Sequence, residues 1–226
     1  SSSMIITRTP LRITLGGGGT DLPSYYERFG GMLIAGAIDK YVYITLNRTF
    51  TDDFFLKYSA IERVSEVEDI EHPIIREAFS LHAVEPAIEM VSVADIPAGT
   101  GLGSSGSFTV GLLRAIYAFR RRHATPANLA EEACHIEIDC LHQPVGKQDQ
   151  FIAAFGGLNC FEFTTEGQVH VSPLMVSNET LRDLEENLVM FFTGYSREAH
   201  LVLTEQKTRS EEGEQSMLEN LHFVKE

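Results

Sequence analysis

Basic residues are scarce in this chain. Lysine and arginine number 18 against 32 aspartates and glutamates in 226 residues, a formal charge of −14. Little offsets repulsion from a phosphate backbone or an anionic bilayer, so neither nucleic acid nor membrane is expected as a partner. The one basic run, Arg120-Arg121-Arg122, closes a helical pattern, where cations complement the helix dipole, and reads as structural. Cysteine is also sparse. Cys134, Cys140 and Cys160 are odd in number and lack C-x-x-C spacing, which argues against a disulfide framework or a zinc site and fits a reducing cytoplasm. No apolar run approaches the length of a membrane-spanning helix, and the first residues show neither the charged nor the apolar region of a secretion signal. Ser1, Ser2 and Ser3, ahead of Met4, read as an expression remnant. Nothing in the chain indicates an oligomeric state.

Glycine and serine are present where they matter. Residues 97–107 read Pro-Ala-Gly-Thr-Gly-Leu-Gly-Ser-Ser-Gly-Ser, between a strand-like run at 88–96 and a helix-like run at 108–122. Gly99, Gly101, Gly103 and Gly106 let the backbone bend and bring N–H groups close to an anion, and the following helix points its positive end at the same place. Ser104, Ser105 and Ser107 add hydroxyls. A Walker loop is excluded because no lysine follows Gly103 or Gly106. Gly101, Gly103 and Gly106 also spell a dinucleotide fingerprint, but the acids about 20 positions on, Glu131 and Glu132, fall inside a helical pattern instead of ending a strand. A glycine-rich turn with capping serines remains the structural alternative.

The apolar fraction of 43% is that of a globular protein with a core of its own. A strand over 5–15 stops at Gly16-Gly17-Gly18-Gly19, and Thr20-Asp21-Leu22-Pro23 reads as a turn and cap before a short helix. Alternation predicts a strand pair at 32–37 and 41–47, with further strands at 54–58, 87–96 and 188–193, and a hairpin of 158–163 with 169–171. Helices are expected at 73–82, at 125–141 with Thr125 as cap, at 151–155 and at 198–209, with a weak helical pattern over 211–226. On the 125–141 helix, Leu129, Ala133, Ile136 and Cys140 form one stripe at 100° per residue, and Glu137 falls within it. A carboxylate on an apolar stripe needs a partner. A metal and a buried salt bridge are both open at this point. Lys147 and Asp149 sit in the loop at 142–150.

Taken together, these segments resemble the GHMP kinase superfamily of sugar and mevalonate kinases. The resemblance rests on residues 10–21 as a first motif, 97–107 as the family's P-x-x-x-G-L-G-S-S-A phosphate loop, and Gly146-Lys147-Gln148-Asp149-Gln150 as the segment carrying a catalytic aspartate. The wording of 17–26, 95–106, 145–150 and 156–159 resembles the bacterial heptose kinase branch, and the similarity runs from about residue 4 to 209. It implies an α+β fold in two lobes. Residues 4–175 would form an N-terminal lobe like the second domain of ribosomal protein S5, and 176–226 the start of a ferredoxin-like lobe. That lobe is expected to be cut short, because the third family motif has no counterpart before Glu226.

The resemblance also implies roles. Asp149 would be the base, with Arg12 beside it as a cation for the transferred phosphoryl group. Pro97, Gly99, Gly101, Leu102, Gly103, Ser104, Ser105, Gly106 and Ser107 would hold ATP, and Ser104 and Glu137 would hold Mg²⁺. Gly17, Gly18, Gly19, Thr20, Asp21 and Lys147 would face the acceptor. Galactokinases carry Glu-His where this chain has Gly18 and Gly19, so a larger or phosphorylated sugar is expected. The implied reaction is phosphorylation of the C1 hydroxyl of D-glycero-D-manno-heptose 7-phosphate on the way to GDP-heptose. The alternatives are a kinase of a fucose-type or capsule or antibiotic sugar, and a non-catalytic sugar or nucleotide sensor of the same fold.

Overall fold

The computed structural model describes residues 4–192, 194, 204–209 and 215–226. Its centre is a seven-stranded sheet built around one long strand. β1 (Ile5–Gly16) pairs antiparallel with β2 (Gly31–Arg48) along nearly its whole length, from Ile5 opposite Leu46 to Gly16 opposite Ile34. A strand has two edges, so the other edge of β2 is left to be shared. β5 (Ile88–Ala94) takes the C-terminal half and β6 (Leu158–Phe163) the N-terminal half. β3 (Phe54–Lys57) and β4 (Ile61–Val64) extend the sheet beyond β5, and β7 (Val169–Pro173) extends it beyond β6.

Helices cover the sheet. α1 (Pro23–Phe29) follows the glycine run, α2 (Pro73–Leu81) precedes β5, and α3 (Ser104–Phe119) packs on β1 and β2. α4 (Pro126–Cys134) and α5 (Gln148–Phe155) pack on each other and on α3. Leu11, Ile44, Leu112, Leu113, Ile116, Ile136, Ile152 and Phe161 meet in the core between these layers. α6 (Asn178–Asn187) and a short helix α7 (204–209) come next, then α8 (Gln215–Lys225). α8 closes back onto α1, burying Leu221, with Tyr25 Oη 2.6 Å from His222 Nδ1 and Lys225 Nζ donating to Phe29 O at 2.8 Å. The chain is α+β, as the order of its elements implies.

Several expectations are corrected. The strand pair at 32–37 and 41–47 is one continuous strand, because β1 pairs across the intervening residues. β4 and α6 were not expected from the pattern. α3 starts at Ser104, four residues before its apolar run, so the serines form its first turn. The helix capped by Thr125 passes at His135–Cys140 into a π-turn. Its wider turn departs from 100° per residue, which explains why Glu137 is buried while Cys140, placed on the same stripe, is exposed. The apolar run at 188–192 is no strand. It is exposed, and an extended segment becomes a strand only when it hydrogen-bonds to a neighbour. Of the helix expected at 198–209, residues 204–209 are helical. Residues 198–203, Thr193 and the remnant at 1–3 lie outside the described residues.

Candidate active site

Three chain segments meet at Arg12. The β1–β2 pairing shifts register between Pro10 and Arg12, and Arg12 N donates to Leu102 O at 3.0 Å. Its side chain donates through Nη1 to Gly101 O at 2.8 Å and through Nε to Asp149 Oδ1 at 2.7 Å. Asp149 lies in the first turn of α5, not in a loop. Its negative charge there faces the positive end of the helix dipole. The pair retains 14% and 23% side-chain exposure, so it is open to a ligand.

The serine loop closes against this pair. Gly99, Gly101 and Gly103 all have φ between 75° and 77°, an arrangement that turns successive N–H groups to one side. Gly103 is the N-cap of α3 and no side chain caps that end, so the N–H groups of the first turn have no intrahelical acceptor. The close fit explains two glycines. A Cβ on Gly106 would stand 2.7 Å from Asp149 Cβ, and one on Gly103 would stand 3.0 Å from Arg12 Cγ. Ser107 points elsewhere. It is buried and donates to Pro10 O at 2.6 Å, anchoring α3 to β1 at the register break. Pro97 and Ala98 are exposed, and Ser104 is half-buried.

Glu137 is 0% exposed and ion-pairs with no described residue. Ser105 Oγ donates to its Oε1, and Gln150 Nε2 donates to Oε2 at 2.7 Å. Of the two adjacent serines it is Ser105 that meets this carboxylate. Burial pushes the carboxyl up to about 7, and the nearby charge of Asp149 adds to this against the hydrogen bonds from Ser105 and Gln150. Gln150 Oε1, buried beside it, has no hydrogen-bond partner. Among the described residues no group of three or more His, Cys, Asp or Glu could hold a metal by itself. One buried carboxylate, a serine hydroxyl and a helix N-terminus do fit a magnesium ion held partly by phosphate oxygens and water.

The glycine run is built differently. Gly17 has φ +80°, and a Cβ there would come 2.7 Å from Leu33 Cα and closer still to Met32 O. Thr20 Oγ1 donates to Gly17 O at 2.7 Å and accepts from Met32 N at 3.1 Å. Asp21 is 2% exposed. It does not cap α1, whose N-cap is Leu22. Its carboxylate accepts from Gly19 N at 3.2 Å and, across 127 positions, from Gln148 N at 3.1 Å, so it caps α5 from outside. Burial raises its pKa, against the hydrogen bond from Gln148 N. Gly146 passes so close that a Cβ there would overlap the Asp21 carboxylate. Lys147 turns away from this group, donating to Gly167 O at 2.6 Å with Nζ over the Tyr26 ring.

Sequence reasoning missed three members of the site. Gln148 accepts from Thr14 Oγ1 at 2.6 Å and reaches Asp21, and Gln150 holds Glu137. Gly146 makes room for Asp21. All three lie in the segment read as catalytic, and two glutamines flanking an aspartate were the available signal.

This arrangement places an uncapped helix N-terminus, a paired Arg–Asp couple and a buried carboxylate around one opening. The sequence profile of the GHMP kinases N terminal domain matches residues 67–157. A D-glycero-alpha-D-manno-heptose 7-phosphate kinase of Campylobacter jejuni is 30% identical over 243 aligned positions, covering 98% of this chain and 68% of that protein. The chain belongs to the GHMP kinase family. A galactokinase of Pyrococcus furiosus is 26% identical, with 95% of this chain and 60% of that protein covered. Among solved structures, a D-glycero-D-manno-heptose 1-phosphate kinase of Bacteroides thetaiotaomicron superposes with a TM-score of 0.78 at 26% identity, over 97% of this chain and 76% of that one. A galactokinase of Lactococcus lactis, at 15% identity and TM-score 0.59, shares the fold. GHMP kinases are phosphotransferases that take the phosphoryl group from ATP. No helix among the described residues is long and apolar enough to cross a membrane.

Proposed function

We propose that this GHMP kinase transfers the γ-phosphoryl group of ATP to the C1 hydroxyl of D-glycero-D-manno-heptose 7-phosphate, with Mg²⁺ as cofactor. The observation that carries the reading is the Arg12–Asp149 pair, 2.7 Å apart and partly exposed beside the uncapped N-terminus of α3. Phosphoryl transfer demands positioning and charge neutralisation more than covalent participation. Gly99, Gly101, Gly103 and the first turn of α3 donate backbone N–H groups to the phosphates of ATP. Arg12 supports charge on the transferred group from the side of Gly101. Asp149 accepts the proton of the attacking hydroxyl, and its pairing with Arg12 fixes which oxygen faces the acceptor. Ser105 and Glu137 are the residues that would hold Mg²⁺, which supplies charge neutralisation between the phosphates.

The choice of heptose is supported by the C. jejuni heptose 7-phosphate kinase and the B. thetaiotaomicron heptose 1-phosphate kinase, whose names agree on the sugar and differ on the position of its phosphate. Gly18 and Gly19, where galactokinases have Glu-His, support an acceptor larger than galactose. A non-catalytic sensor is disfavoured by the intact Arg12, Glu137 and Asp149, since binding alone needs no such trio. The test is ATP consumption with a panel of free sugars and sugar phosphates. Preference for the heptose 7-phosphate, with turnover by Asp149→Ala reduced on the order of a thousandfold and ATP affinity little changed, is expected. Undiminished turnover in that variant would overturn the kinase assignment, and preference for another sugar would overturn the heptose.

A further inference from the structure

The acceptor side of the site has little free polar side chain. Asp21 is buried with both oxygens engaged, Thr20 is turned onto Gly17 and Met32, and Lys147 is held on Gly167. One further polar group touches this loop. Gln206 of α7 lies against the Gly19 backbone so closely that a Cβ there would overlap Nε2, with Gln206 Cδ at 3.2 Å. Gly19 has φ +91°, and Leu221 Cδ2 closes the same spot at 3.1 Å. Gln206 is half-buried, and its amide makes no hydrogen bond with any described residue. It therefore presses on the loop without being tied to it.

A carboxamide carries two donors and an acceptor, the complement of sugar hydroxyls, which both donate and accept. The loop it touches is tied to the segment that carries Asp149. Gly19 N donates to Asp21, Asp21 accepts from Gln148, and Gln148 precedes Asp149. We propose that Gln206 is a specificity-determining residue for the acceptor, its carboxamide hydrogen-bonding a hydroxyl of a sugar seated against Gly18 and Gly19. This rests on the sugar-kinase reading above. Gly19 then has a second reason to lack a side chain: any Cβ would displace the amide that reads the sugar.

Calorimetric titration of the full chain tests this, with heptose 7-phosphate and its monodeoxy analogues as probes in the presence of a non-hydrolysable ATP analogue. Gln206→Ala is expected to weaken binding of the parent sugar roughly tenfold or more, leaving affinity for the ATP analogue unchanged. One deoxy analogue, lacking the hydroxyl that Gln206 reads, should lose affinity in the wild type but no further affinity in the variant. Gln206→Met keeps length and packing without hydrogen bonding, and should behave as Gln206→Ala does. An unchanged sugar affinity in both variants, or an equal loss for every deoxy analogue, would overturn the proposal. If the wild type binds the ATP analogue but none of the sugars, the acceptor reading fails and this inference falls with it, a result distinct from either of those.

Discussion

Residues 97–107 and residues 16–21 are both glycine-rich, both follow a strand of the central sheet and both lead into a helix, yet their polar groups go to different places. In the serine loop the first-turn N–H groups of α3 are left without side-chain caps, and Gly101 has open space around the position of a Cβ. In the glycine run, Thr20 and Asp21 consume the local donors and acceptors, and Gly17 is pressed against β2. On the proposed reading the open loop meets phosphate, a ligand that bare backbone reads well. On the same reading the glycine run meets a sugar, which has to be told from other sugars. A loop that satisfies itself internally supplies shape and leaves discrimination to a residue brought from elsewhere in the chain.

The sharpest way to break this contrast is to place the same methyl group in each loop. Gly17→Ala combines φ +80° with a clash against backbone that cannot move aside, and is expected to cost about 4 kcal/mol. Gly101→Ala carries φ +77° with nothing within 4 Å, and should cost only about 1 kcal/mol. Chemical denaturation of the two variants measures the difference, and equal losses would end the distinction. Next in size is Gly106→Ala, whose Cβ would push on Asp149 at 2.7 Å. A shift of that aspartate should lower kcat roughly a hundredfold, and stability falls as well, because the Cβ also meets the backbone of Asp149 at 2.8 Å and of Gln150 at 2.9 Å. Steady-state kinetics beside a melting curve separates the two.

The smallest effect concerns pH. Glu137 has a folded-state pKa raised to about 7 from an ordinary 4.5. The folded state therefore holds the proton more tightly than the unfolded state does. The stability this contributes is complete below the unfolded value, declines as pH rises through the window, and is gone above about 7. Glu137→Gln cannot titrate, so in buffer free of divalent cations it should flatten that part of the melting-temperature profile between pH 5 and 8, by at most about 3 kcal/mol. Parallel profiles for variant and wild type would refute the cause assigned here.

The strands and most helices were legible in the sequence because burial imposes a period, and the tight turns of the serine loop because glycines at 99, 101 and 103 take the positive φ that other residues avoid. Glu137 was legible as an anomaly: a carboxylate on an apolar stripe. Its partners were not. Ser105 and Gln150 approach it from 32 and 13 positions away, a relation that no local pattern encodes. Asp21 shows the same limit, since its place in a motif drew attention to it, but that it caps a helix 127 positions along the chain is again a relation no local pattern encodes. The run at 188–192 shows that an apolar stretch alone does not make a strand. Pairing does, and pairing is a property of neighbours.

The bonds joining the two halves of the site span 137 positions for Arg12 and Asp149, 134 for Thr14 and Gln148, and 127 for Asp21 and Gln148. Contacts of such separation are among the last that a chain can make, because the loop they close must be ordered first. During synthesis at about 5–20 residues per second, Arg12 waits on the order of ten seconds before its aspartate exists. The Arg12–Asp149 ion pair is thus a clock mark for the assembly of the site. A probe placed there would report closure of this site, ahead of the α8 contacts that span 196 and 197 positions, and a nascent chain lacking α5 would carry β1 and the serine loop without Asp149.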